Sequence, residues 1–158
     1  MTRPTSTLLE RFEGLRMEAS SFRHRDHILV AYAMLDQYEF VEACARYAST
    51  IRTMAESVGA FEKYNTTITL AFLSLIAERK AQTPGAGPPD AGPPDTGPPD
   101  TEPDAFLEAN PDLLDPNLLD GWYTKERLDS PAARAYFLLP DKPLRAALAP
   151  DTRKRVEP

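Results

Sequence analysis

The chain has two histidines, and they stand three residues apart in Phe22-Arg-His24-Arg-Asp-His27-Ile28. Imidazoles one helical turn apart can share a metal, pass a proton or hold an anionic group. Beyond this pair the sequence offers no phosphate loop, no nucleophile-and-base set and no complete metal box. No Ser, Cys or Lys carries a mark of activation, so covalent catalysis has no positive sign. A divalent metal is the one cofactor His24 and His27 admit, and two ligands alone do not make a site.

The elements that position the pair are helical. Ile28, Ala31, Tyr32 and Leu35 repeat at helical spacing and predict a helix from about Arg23 to Gln37. A second begins near Glu39 and carries Phe40, Ala43, Tyr47, Ile51, Met54 and Val58 until Gly59 supplies a stop. A third starts around Tyr64 to Thr66 and carries Ile68, Phe72, Leu75 and Ile76 before Glu78-Arg79-Lys80. Threonines suit a helix start and basic residues suit its end.

At about 100 degrees per residue, His24 and His27 lie about 60 degrees apart, on the side that carries Ile28, Ala31 and Leu35. Asn65 lines up in the same way with Ile68, Phe72 and Ile76. Short connections make neighbouring helices antiparallel, so the first and third run parallel. His24, His27, Tyr64 and Asn65 are then expected to converge at one end of the bundle. Helix N-termini there favour an anionic ligand and disfavour imidazolium. The alternative is that both imidazoles sit at the core edge, hydrogen-bonded to backbone or to Asp and Tyr side chains. Tyr64 suits a core aromatic with a partnered hydroxyl better than an acid or base. Lys63 and Asp26 are expected to face solvent.

Length and composition narrow the classes. The 158 residues suit one domain, and a hydrophobic fraction of 42% is enough for a core. The formal charge of -6 owes much to Asp90, Asp95, Asp100, Glu102 and Asp104; without these five acids, 19 acidic residues face 18 basic ones. A nearly neutral folded part has no broad basic face, which argues against nucleic acid as a partner. Cys44 is alone and fits a reducing compartment and a small buried apolar position. No apolar run approaches the roughly 20 residues of a membrane span, and no secretory h-region follows the N-terminus. A cytoplasmic protein is expected.

Residues 87–101 repeat Gly-Pro-Pro-Asp-Ala/Thr three times. Proline removes donors and the unit has no large apolar side chain, so a solvated low-complexity insert is expected over 84–102. A Pro-rich arm for a protein partner is the alternative. Residues 1–21 read as an N-terminal segment. After the insert, Asp104 to Ala109 makes a short helix stopped at Asn110-Pro111. Leu113-Leu114 and Leu118-Leu119 cover the core from turns, and Trp122-Tyr123 closes one end or covers the core. A helix from Ser130-Pro131 through Phe137 follows. Residues 139–158 read as an irregular tail, with Arg153-Lys154-Arg155 solvated.

The blocks Phe22-Arg-His24-Arg-Asp-His27, Ala31-Tyr32, Glu42-Ala43 and Lys63-Tyr64-Asn65-Thr66-Thr67-Ile68-Thr69 resemble a family of small bacterial proteins of uncharacterised activity. Its pattern is F-x-H-x-x-H, a helical middle, K-Y-H-x-T-I-T, then F-x-x-x-x-P-x-L-L-D and a W/Y-Y element. Phe106 to Asp115 and Trp122-Tyr123 match the second half, and the repeats fall between matching blocks. The resemblance implies a third histidine where this chain has Asn65. Three histidines would look like an open metal site; asparagine is a poor zinc ligand, so the metal expectation weakens.

The reading is therefore an all-α protein, one domain over 22–138 with a three-helix core and short covering helices. Its expected function is to bind a small polar or anionic ligand through His24, His27, Tyr64 and Asn65, with acid–base catalysis by His24 or His27 as an extension. A protein–protein interaction module is the alternative, and a degraded metal enzyme the third.

Overall fold

The computed structural model describes residues 4–82 and 103–143, and several of its helices start or stop at a local cap that can be named. The α-helices are α1 (Pro4–Glu13), α2 (His24–Gln37), α3 (Phe40–Ser57), α4 (Thr66–Gln82), α5 (Pro103–Ala109), α6 (Lys125–Leu128) and α7 (Pro131–Ala135). Three short 3-10 turns, at Phe61–Lys63, Pro111–Leu114 and Leu118–Gly121, complete an all-α architecture with no strand among the described residues. The Gly-Pro-Pro-Asp insert and the Arg153-Lys154-Arg155 cluster lie outside them.

Helix α2 begins where the histidines begin. Asp26, expected in solvent, folds back so that its carboxylate accepts the Arg23 backbone N–H at 2.9 Å, half of a capping box. In α3, Glu39 caps by accepting from the Val41 N–H at 3.1 Å. Gly59, at φ 67°, ends it, with the Ala60 N–H reaching back to the Ala55 carbonyl at 2.8 Å. Helix α7 stops at Ala135 rather than running on to Phe137, because Tyr136 turns extended at φ -133°.

The first 21 residues do more than the sequence announces. Leu9 and Phe12 of α1 are buried in the common core with α2, α3 and α4, so a fourth helix packs on the three expected ones. Phe12 is fully buried and stacks on Phe22 and Tyr47, with ring centroids 5.8 and 5.4 Å away. Helix α1 ends by the same device as α3: the Arg16 N–H bonds the Arg11 carbonyl at 2.8 Å. Here the left-handed position is Leu15, at φ 56°, where a side chain is strained.

Helices α2 and α4 run parallel, as the short connections imply. His24 packs edge-on against Phe72 at 5.2 Å, while at the far end Lys80 lies over the Tyr32 ring at 3.6 Å and reaches Asp36 at 3.4 Å. The covering segments are anchored from both sides. Arg79 of α4 grips Asp112 through two bonds of 3.0 and 2.7 Å and Asn110 through a third of 3.0 Å. Arg25 of α2 pairs with Asp104 of α5.

Candidate functional site

The site is built from the first turns of two parallel helices. His24, His27, Ile28 and Ala31 occupy one stripe of α2, at i, i+3, i+4 and i+7, and border a cavity of about 250 Å³. Across it, Asn65, Ile68, Thr69, Phe72, Leu73 and Ile76 form the matching stripe running from the cap of α4 along three turns. Tyr47 and Ile51 of α3 supply a third wall, and Lys63, Tyr64 and Pro116 complete the lining. The four residues singled out from the sequence therefore border one space. Lys63, expected in solvent, is exposed and also borders it.

Each polar member already has internal partners. His24 Nε2 lies 2.9 Å from the Leu113 carbonyl oxygen, an acceptor only, so Nε2 donates there and Nδ1 is the ring's remaining nitrogen. His27 Nδ1 lies 3.0 Å from the Tyr47 hydroxyl, which also reaches the His27 carbonyl at 3.3 Å. Phe22 stands edge-on to the same imidazole, its centroid 4.3 Å away. Burial, reinforced by the neighbouring His24 and only partly offset by Asp26, pushes the His27 pKa down to about 4. At neutral pH His27 is uncharged, and it is a weak base with almost no acid form to donate. Burial likewise pushes the Tyr47 phenol far up, so it acts as a hydrogen-bonding group rather than an ioniser.

Asn65 has a structural explanation that the sequence does not reveal. Its side-chain carbonyl accepts the Ile68 N–H at 3.0 Å, capping α4, and its amide donates to the Leu128 carbonyl at 2.7 Å. The next two residues continue the same clip. Thr66 donates to the Arg134 carbonyl at 2.7 Å. Thr67, fully buried, donates to the Tyr136 carbonyl at 2.6 Å and accepts the Leu138 N–H at 3.0 Å. Much of the Lys63-to-Thr69 motif thus serves to bind the C-terminal segment, an assembly role independent of any ligand. Replacing the buried Thr67 by isosteric valine removes both part-buried hydrogen bonds to the Tyr136 carbonyl and the Leu138 N–H, and should lower stability by about 2 kcal/mol in urea denaturation. A change below about 0.5 kcal/mol, the level of an ordinary surface substitution, would show that the clip contributes little.

No family model, curated protein or solved structure matches this chain. The site therefore has to be read from its own geometry. Among the described residues no group of three or more His, Cys, Asp or Glu side chains is arranged to hold a metal. No described helix is long and apolar enough to cross a membrane. Trp122 and Tyr123 do not border the histidine cavity; they line a second one of about 230 Å³ with Phe137, Leu119 and Glu78. Cys44 is half-buried, and that burial raises its thiol pKa.

The alternative of imidazoles bonded to backbone and to tyrosine matches the partners seen, but the sequence does not identify them as the Leu113 carbonyl and Tyr47, nor place Pro116 on the lining. A backbone carbonyl has no sequence signature, and Tyr47 looked like one more core position of α3. Its spacing from Ala43 and Ile51 gives its face but not its hydroxyl's partner.

Proposed function

We propose that the protein binds a small organic molecule in the cavity between α2, α3 and α4, with an apolar body and one polar, uncharged or anionic end. The observation that carries this is the composition of the lining: Ile28, Ala31, Ile51, Ile68, Phe72, Leu73 and Ile76 form the body, and His24, His27, Tyr64, Asn65 and Lys63 the polar end, with no carboxylate among the described residues. Sites for small molecules combine a largely apolar wall with a few convergent polar groups. The apolar majority shifts the ligand away from a purely polar one. A binding role is favoured over acid–base catalysis because His24 spends one nitrogen on Leu113 and His27 is depressed to about pKa 4. The similarity to the F-x-H-x-x-H bacterial proteins would make this pocket a shared feature, with Asn65 as this chain's variation.

The test is a titration of the ¹⁵N-labelled full chain with phenol, indole, 1-octanol and octanoate. Binding should move amide signals of residues 24–31, 47–51 and 63–76 first and saturably. Shifts centred elsewhere, or none with any of the four probes, would reject the proposal. A second reading, a docking surface for another protein, is favoured by one observation: Tyr136, Phe137 and Leu139 are 68%, 45% and 70% exposed within four residues.

A further inference from the structure

The shape of the cavity says more about its occupant than its volume does. Along α4 the lining runs from Asn65 to Ile76, which at 1.5 Å per residue is a length of roughly 16 Å. An apolar cavity of about 150 Å³ holds a benzene ring, so 250 Å³ has room for roughly ten non-hydrogen atoms. An extended chain of that many atoms fits within the lined stretch of α4, whereas a compact fused ring system of the same count would reach along much less of it.

The lining is also polar at one end and apolar at the other. On α2 the order from the N-terminus is His24, His27, Ile28, Ala31; on α4 it is Asn65, Ile68, Thr69, Phe72, Leu73, Ile76. Because the two helices are parallel, both sequences change from polar to apolar in the same direction. Lys63 stands at the polar end, exposed, and among the described residues it has no side-chain hydrogen bond or ion pair and no acidic residue borders the space. His27, neutral at physiological pH, adds no competing positive charge deeper in. A negative head at Lys63 meets a cation and keeps its water; an ammonium head there meets repulsion.

We infer that the ligand is a linear aliphatic monocarboxylate of about eight carbons, its chain laid along α2 and α4 and its carboxylate at Lys63. This rests on the cavity being a binding site at all, and the experiment separates the two claims. Calorimetric titration of the full chain with straight-chain carboxylates from six to twelve carbons should show affinity rising about fourfold per added CH₂. The rise should level off near eight carbons, where the slot is full. Octanoate should bind about fivefold more tightly than 1-octanol, the scale of one exposed ion pair, and more tightly than octylamine. Lys63→Glu should weaken octanoate about tenfold and 1-octanol much less; since Lys63 makes no side-chain bond within the described fold, the variant should fold normally.

Equal binding of octanoate and 1-octanol, or no effect of Lys63→Glu, would overturn the carboxylate. Indole binding better than octanoate, or affinity that does not depend on chain length, would overturn the linear body while leaving the pocket in place. Failure of octanoate, 1-octanol, octylamine and indole alike would overturn both the inference and the proposed function.

Discussion

Phe12→Ala should destabilise the protein by about 3–5 kcal/mol, the cost of emptying a large aromatic site in a closed core. Phe12 has no exposed surface, and its ring is held between Phe22, which leads into α2, and Tyr47 of α3. The ring is thus the contact through which α1 joins the histidine-bearing helix to its neighbour. Because Tyr47 also bonds His27, loss of Phe12 should loosen the wall that carries the imidazole. Urea denaturation of the full chain measures the change, and removal of residues 1–21 should cost at least as much. A Phe12→Ala loss below about 1 kcal/mol would mean that α1 is an accessory to the fold.

The second large effect concerns acid. A histidine with an ordinary pKa of 6.5 in the unfolded chain and about 4 in the folded one binds its proton earlier when unfolded. Protons therefore favour unfolding between those values: His27's contribution is present in full above about pH 6.5 and is lost as the pH falls toward 4. At about 1.4 kcal/mol per unit, the loss should reach about 2 kcal/mol by pH 4.5, toward a limit of about 3 kcal/mol. His27→Phe removes the titration while keeping a planar ring beside Phe22, and the Tyr47 hydroxyl keeps the residue 27 carbonyl as a partner. Stability measured from pH 7 to 4.5 should thus fall less steeply in the variant by that amount. Parallel curves for the two proteins would mean that His27 titrates normally and is more open to water than its packing against Phe22 implies.

Helices α2, α3 and α4 were legible in the sequence because each carries a long apolar stripe and a recognisable boundary: Gly59 at one stop, Glu78-Arg79-Lys80 near another. The convergence of His24, His27, Tyr64 and Asn65 on one space followed from phase and from the parallel run of α2 and α4. Helix α1 was not legible, because Leu8, Leu9 and Phe12 make too short a stripe and its end uses Leu15 where glycine would be the usual sign. The roles of Asn65, Thr66 and Thr67 were hidden for a different reason. Their partners are backbone groups at Leu128, Arg134, Tyr136 and Leu138, more than 60 residues away, and a main-chain carbonyl looks the same in every sequence. Lys63 was read as solvated, and it is exposed; its place beside the cavity depends on the turn at Phe61–Lys63, which no periodicity announces.

The threonine clip has a consequence for the order in which the molecule comes into being. A ribosome makes His24, His27 and all of α4 long before Arg134, Tyr136 and Leu138, whose main chain holds Thr66 and Thr67. While that stretch is still unmade, Thr67 has neither of the backbone partners it holds in the finished fold, and the start of α4, which borders the cavity, lacks that clip. The nascent chain can collapse around Phe12 and the three long helices early, but the start of α4 is clipped only when residues 134–138 emerge. A chain truncated before Tyr136 should therefore be a folded bundle with a loosened pocket end, and completeness of synthesis becomes a condition for the site.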